Sequence, residues 1–274
     1  MTHSEHILEY VLRICALDKI YDYLECINIT NGLLMCNKTI SEIITNKLLK
    51  SEQFTLTEMC FWNINKLAKV RRIFVNEQSN LRFFHQLFPK LELISFDKDF
   101  NYPIIEKMLP STLKEIYFER FCKFNLKIPK NTLPNSLTKL TFGWFFNKPI
   151  DKNTLPCDLT ELTFGEDFNQ SIDRNVLPIN LKRLEFGHDF NHSLKKGVLP
   201  NSLTQLIFGA MFNQPIVQGD LPDGITSLEF GTNFNKFIKV HTLPNSLTEL
   251  IFGAGFKQPI INSIPNNLRV LHIE

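Results

Sequence analysis

Residues 133–154 read LPNSLTKLTFGWFFNKPIDKNT, and the fold follows from the recurrence of this stretch. Leu-Pro returns at Leu155-Pro156, Leu177-Pro178, Leu199-Pro200, Leu221-Pro222 and Leu243-Pro244, each 22 residues after the last. Behind each come Leu or Ile, then Leu, then Phe-Gly, then a second Phe, then Ile or Leu. A fixed period of this length is the signature of a solenoid, whose turns bury their apolar faces only against one another. Two register positions hold Phe in all six units, from Phe142 and Phe146 to Phe252 and Phe256, which explains many of the 25 Phe.

The pattern loosens outward from this stretch. Leu109-Pro110 opens a unit two residues longer, with the extra pair between Phe118 and Phe124. Phe88-Pro89 opens one that is a residue short, and Ile264-Pro265 opens a partial last unit. Within residues 63–87, Val70, Ile73 and Val75 repeat the spacing of Leu137, Leu140 and Phe142, so an eroded first rung is expected there. Terminal repeats are commonly atypical.

The Leu-x-x-Leu-x-Phe segment of each unit reads as a short strand. In it Leu162 and Phe164 point inward while Glu161 and Thr163 point out. Such strands stack about 4.8 Å apart into a parallel sheet. Proline ahead of the strand needs no ladder donor. The glycine after it, from Gly143 to Gly253, is expected to supply a positive φ. The column Asn101, Asn125, Asn147, Asn169, Asn191, Asn213 and Asn235 is expected to form a buried ladder that bonds the turn backbone of adjacent rungs. Lys257 in the same column implies a solvated site near the last rungs.

Residues 1–62 have a different texture. Thr2 and Glu5 form a capping box ahead of Leu8, Val11, Leu12 and Cys15, which share a helical face. Asp18 is placed to cap a second helix with Ile20, Tyr23, Leu24 and Ile27. Asn31-Gly32 reads as a break, and a third helical pattern carries Leu33, Leu34, Ile40, Ile43, Ile44 and Leu48. The expected fold class is therefore α+β: a helical module over 1–62, a degenerate repeat or cap over 63–87, and a leucine-rich-repeat-like parallel β solenoid over 88–274.

Two resemblances bear on function. Leu33-Leu34-Met35-Cys36-Asn37-Lys38-Thr39-Ile40 resembles the Leu-rich stretch of an F-box, although the family's opening Leu-Pro is absent and Trp62 stands only roughly where its late Trp belongs. That resemblance implies a Skp-type adaptor docked on Leu8, Leu12, Leu33, Leu34 and Ile40. A helical cap that merely seals the array fits the same residues. Over residues 88–274 the pattern is similar to the FNIP repeat, one of the leucine-rich repeats; Phe146-Asn147-Lys148-Pro149-Ile150 and Phe212-Asn213-Gln214-Pro215-Ile216 carry the name motif. Such repeats are known from slime moulds and from large DNA viruses of amoebae, often behind an F-box. The resemblance implies a protein-interaction module and not an enzyme, acting in the host cell if viral.

Composition narrows the alternatives. A net charge of +2, with no column of the array uniformly basic, argues against nucleic acid and anionic membranes as partners. No apolar run approaches the ~18 residues of a membrane span, and the first 20 residues do not read as a signal peptide. The 6 Cys are scattered, so reduced thiols in the cytosol or nucleus are expected rather than a disulfide framework. No phosphate loop, zinc spacing or nucleophile motif is present, so no cofactor or metal is expected. His188 and His192 fall in a turn, and Glu166, Asp167 and Asp189 read as a solvated acidic edge.

A protein target is expected on the concave face of the array. The outward strand positions include Tyr117, Lys139, Glu161, Arg183 and Glu185, and the positions past each glycine include Trp144-Phe145, His188 and Met211. Lys139, Glu161 and Arg183 alternate in sign, which also suits a self-neutralised solvated face. Trp144 and Phe145 are aromatic where their register mates are small or polar. They read either as a hot spot or as a cover over the insertion around Phe121 and Cys122. The candidates for partner binding are thus Tyr117, Lys139, Trp144, Phe145, Glu161, Arg183, Glu185, His188 and Met211.

Overall fold

The computed structural model describes residues 29–30, 33–34, 71–75 and 88–274. Two short strands, β1 (Ile29–Thr30) and β2 (Leu33–Leu34), pair antiparallel. The next ten form one parallel sheet: β3 (Arg72–Val75), β4 (Leu93–Phe96), β5 (Glu115–Phe118), β6 (Lys139–Thr141), β7 (Glu161–Thr163), β8 (Arg183–Glu185), β9 (Gln205–Ile207), β10 (Ser227–Phe230), β11 (Glu249–Phe252) and β12 (Val270–Ile273). Their order in the sheet is their order in the chain, so each repeat is one turn of a solenoid. Equivalent residues face each other, as in Leu140↔Leu162 and Leu162↔Leu184. β3 lies inside 63–87 and pairs with β4 in the same register, so the sheet begins upstream of Phe88.

The α+β expectation needs correction. Among the described residues the one helical element is a 3-10 turn at Ile261–Ser263. Leu33 and Leu34, read as helical, lie in β2. The reason is local: Asn31-Gly32 separates a β-branched pair from a leucine pair, and Asn-Gly is a strong signal for a two-residue hairpin connection. The other proposed helical positions, Leu8, Leu12 and Ile40 among them, lie outside the described residues.

Three tight turns fold each 22-residue rung around its strand. The proline carbonyl accepts from the amide three residues on, as in Leu159 to Pro156 (3.2 Å). The glycine carbonyl does the same for the second Phe, as in Phe168 to Gly165 (3.1 Å). A third turn closes between Asp151 and Thr154 (3.2 Å) and its equivalents. Three of the backbone amides that sheet pairing leaves over are thus satisfied within the rung.

Positive φ occurs in the third turn and not at the glycine after the strand. Lys107, Asn131, Asn153, Asn175, Gly197, Gly219 and His241 are left-handed, with φ between 59° and 88°, and they occupy one register position. Such a residue third in a four-residue turn defines type II, which favours Gly and Asn. Gly143, Gly165, Gly187 and Gly209 have a different reason to be glycine. A Cβ on Gly187 would overlap the carbonyl oxygen of Gly165, and one on Gly165 that of Gly143. Rungs approach backbone to backbone at this corner.

Inside the turn run two columns of stacked rings. Phe142, Phe164, Phe186 and Phe208 stack at 5.6–5.8 Å, and Phe146, Phe168, Phe190 and Phe212 at 6.2 Å. Within a rung the two rings are 3.8 Å apart and nearly parallel. The second ring is fully buried in these rungs, and Leu140, Leu162, Leu184 and Leu206 complete the core. The stack is open at β12, where Leu271 and Ile273 are 41% and 47% exposed although their neighbours Leu250 and Phe252 are at 0%.

Candidate functional site

The missing side chains of the glycine corner leave a trench across the rungs. Its floor is the Phe column of β5 to β9 together with Gly165, Gly187 and Gly209. One wall is the last outward position of each strand: Tyr117, Thr141, Thr163, Glu185 and Ile207. The other is the position two residues past the Phe of each strand: Arg120, Trp144, Glu166, His188 and Ala210. The enclosed space is about 490 Å³. The second wall is held by a continuous backbone ladder, in which the amides of Asp167, Asp189 and Met211 donate to the carbonyls of Trp144, Glu166 and His188 at 2.8–2.9 Å. The trench is thus a rigid feature, the kind of surface on which binding residues are pre-positioned.

Its two ends differ. At the upstream end Trp144 stacks on Phe121 of the two-residue insertion, with ring centroids 5.2 Å apart. The Arg120 guanidinium lies over both rings, 5.0 Å from Trp144 and 5.5 Å from Phe121. Phe121, Tyr117 and Phe145 remain well exposed beside it. The middle is acidic. Glu166 accepts from the His188 amide (2.9 Å), and Glu185 pairs with Arg183 (2.9 Å). Burial, together with the charges of Asp189 and Glu166, holds Asp167 above the usual carboxylate range, although a hydrogen bond with Trp144 works against the shift. Beyond the downstream end, on β10, burial and the carboxylates of Glu185, Glu249 and Glu274 raise Glu229 likewise, against the pull of Arg183. Crowded carboxylates of this kind favour an incoming cation.

The Phe-Asn corner that follows the glycine turn of each rung carries its own ladder. The side-chain Oδ1 of each Asn from Asn101 to Asn213 accepts from the backbone amide of the next Asn, at 2.9–3.2 Å. Asn235 serves Lys257 in the same way (3.0 Å). The ladder is a surface one, since Asn101, Asn169 and Asn191 are exposed and the others half-buried. Lys257 needs no amide side chain because it only donates here.

The 22-residue register, the Phe-Asn corner and the chain-ordered parallel sheet together point to one family. The FNIP repeat model matches residues 86–121, 124–167, 168–210, 212–255 and 242–274. This chain belongs to the FNIP repeat family. Among solved structures the FNIP array is similar to the giant-virus protein CroV588, described as a novel circular leucine-rich-repeat protein. The two share 42% identity at a TM-score of 0.70, over 74% of this chain and 30% of that one. The chain therefore spans about 30% of the length of that relative. No curated protein matches it.

Of the candidate residues, Tyr117, Trp144, Glu185 and His188 line the FNIP trench together, and exposed Phe145 and Met211 flank it. Lys139, Glu161 and Arg183 stand one strand position further out. They are tied up in Lys139–Glu161 (3.0 Å) and Arg183–Glu185 (2.9 Å) ion pairs. His188 bonds Asp189 (2.6 Å) and His192 bonds the Asn169 carbonyl (3.1 Å), so the two histidines face different partners. Sequence reasoning missed Arg120, which holds the register of Trp144 on the β5 rung and lies over the Trp144 and Phe121 rings; the strand register was the available signal. It also missed a basic column. Counted from the left-handed residue, Lys130, Lys152, Arg174 and Lys196 stack on consecutive rungs and are exposed. Asp151 and Asp173 lie beside them in sequence, and Lys127 pairs with Asp151 (2.7 Å).

Proposed function

We propose that this FNIP protein is a protein-interaction scaffold that holds a protein target in the trench over its glycine corner, on the expected concave side. The observation that supports this is the coincidence of the exposed aromatic cluster with the rigid trench: Tyr117, Trp144 and Phe121 gather where the regular rungs meet the insertion. Aromatic anchors beside ordered polar groups are the usual core of a protein interface. We place this activity in the cytosol or nucleus. The test is recovery of the tagged intact chain from cells of its own source. A retained protein should fall at least about tenfold in the Tyr117→Ala, Trp144→Ala double variant. Undiminished retention by a variant of unchanged melting temperature would remove the trench from the interface.

A second reading, substrate receptor of a cullin-type ubiquitin ligase, is supported by the F-box resemblance of residues 33–40. It requires the intact chain to hold a Skp-type adaptor at micromolar concentration, and a form lacking residues 1–62 to lose it. The strand pairing of Leu33–Leu34 favours the plain scaffold. On that reading both forms leave the adaptor unbound, and the shortened form aggregates.

A further inference from the structure

We infer that the segment held in the trench is extended and basic, with a bulky apolar side chain about three residues from a lysine or arginine. This deepens the scaffold reading and rests on it. Charge complementarity names the occupant. Within and beside the trench stand Glu166, Asp167, Glu185, Asp189 and Glu229, against the guanidinia of Arg120 and Arg183. Arg183 is spent on Glu185, and Arg120 sits at the aromatic end over Trp144.

The two acids that line opposite walls of the trench on neighbouring rungs are half-engaged. Glu166 uses Oε2 to accept from the His188 amide, and Glu185 uses Oε2 to pair with Arg183. Among the described residues the Oε1 atoms of both have no hydrogen-bonding partner. Each therefore keeps an acceptor for an incoming cation. A cation held there would also oppose the repulsion from Asp189 and Glu166 that, after burial, raises Asp167.

The rung geometry sets the spacing. Tyr117 and Trp144 form the apolar seat on the rungs of β5 and β6, and Glu166 and Glu185 the acidic seat on those of β7 and β8. The seats are two rungs apart, roughly 10 Å at ~4.8 Å per strand. An extended chain covers that distance in about three residues. A helical segment would need about six or seven residues for the same span.

The probe is an array of peptides in a Gly/Ser background, each with one Leu or Trp and one Arg at every separation, presented to the full chain. Binding should peak at a separation of about three and fall when Arg is replaced by Glu. It should drop at least about tenfold between roughly 0.05 and 0.3 M salt, as for an ion-pair contact exposed to screening. The E166K variant should lose the Arg preference, and E166Q, which keeps an acceptor for the His188 amide, should weaken it. Trp144→Ala should lose the apolar preference with the basic one kept. Equal binding of acidic and basic peptides, no peptide bound at any separation, or E166K indistinguishable from the parent chain would each overturn the inference. If the captured cellular partner still depends on Tyr117 and Trp144 in any of those cases, the scaffold reading stands without it. If that dependence fails as well, both fall.

Discussion

The two corners of a rung that carry its glycines are built for opposite reasons. At the front corner, Gly143 to Gly253, there is no room for a β-carbon because the neighbouring rung's backbone occupies the place. At the rear corner, Asn131 to Gly219, there is room, but the backbone is left-handed. Around Gly197 nothing lies closer to an added Cβ than Arg174 Nε at 3.6 Å. The front corner excludes side chains and so creates the trench. The rear corner excludes only the wrong torsion, and it tolerates Lys107 and His241.

Substitution can break or sharpen this contrast. The largest effect belongs to Gly187→Ala, where backbone must move to admit a methyl group; a loss of at least about 3 kcal/mol is expected in urea unfolding. Gly197→Ala should cost only about 1–2 kcal/mol, the strain of a left-handed residue with a side chain. Gly197→Asn should be nearly neutral, since Asn153 and Asn175 hold the same conformation. Equal losses for the two alanines would erase the distinction between corners.

Next comes the surface ladder of the Phe-Asn corner. Asn191 Oδ1 accepts from the Asn213 amide and from Gln214 Nε2 (3.0 and 2.9 Å). Because the site is exposed, water can replace the lost acceptor, and Asn191→Ala should cost about 0.5–1.5 kcal/mol. Beside the left-handed residue, Thr154 buries a hydroxyl that has no partner, whereas Val176 and Val198 occupy the same position on the next rungs. Thr154→Val should therefore stabilise the chain, by up to about 1 kcal/mol. That gain would show in the denaturation midpoint.

The smallest effect is electrostatic. Glu229 is raised above its unfolded value, so the folded chain binds the proton more tightly than the unfolded chain does. Its contribution is favourable at low pH and declines as pH rises from the ordinary carboxylate range through the raised value. Glu229→Gln should flatten the stability profile in that window and gain a few tenths of a kcal/mol at neutral pH, once solvent screening is allowed for. A variant as steep as the parent chain would move the cause elsewhere.

The repeat made the scaffold legible. Leucines and phenylalanines at fixed register forced one strand per 22 residues, because only stacking buries such a face. The misreadings came where one residue type serves two purposes. Gly187 and Gly197 look alike in sequence, yet contact between rungs decides the first and turn torsion the second. Asn31-Gly32 was read as an interruption between helices, although the flanking Ile29–Thr30 and Leu33–Leu34 suit a hairpin equally well. The uniform Asn column suggests burial in the sequence, but its uniformity reflects a rung-to-rung bond that works at the surface.

The same division runs through the candidate site. Trp144 stands out in sequence because its register mates are Glu166, His188 and Ala210. Nothing local to it shows that Phe121 and Arg120, more than 20 residues upstream, would lie against it. By itself the sequence determined the period, the inward and outward faces and the family, since these depend on the order of residues within one rung. Only the tertiary structure decided where the trench lies, which carboxylates keep a free oxygen, and which glycines yield to alanine. Those depend on how closely one rung approaches the next, and that distance is set by packing across the whole stack.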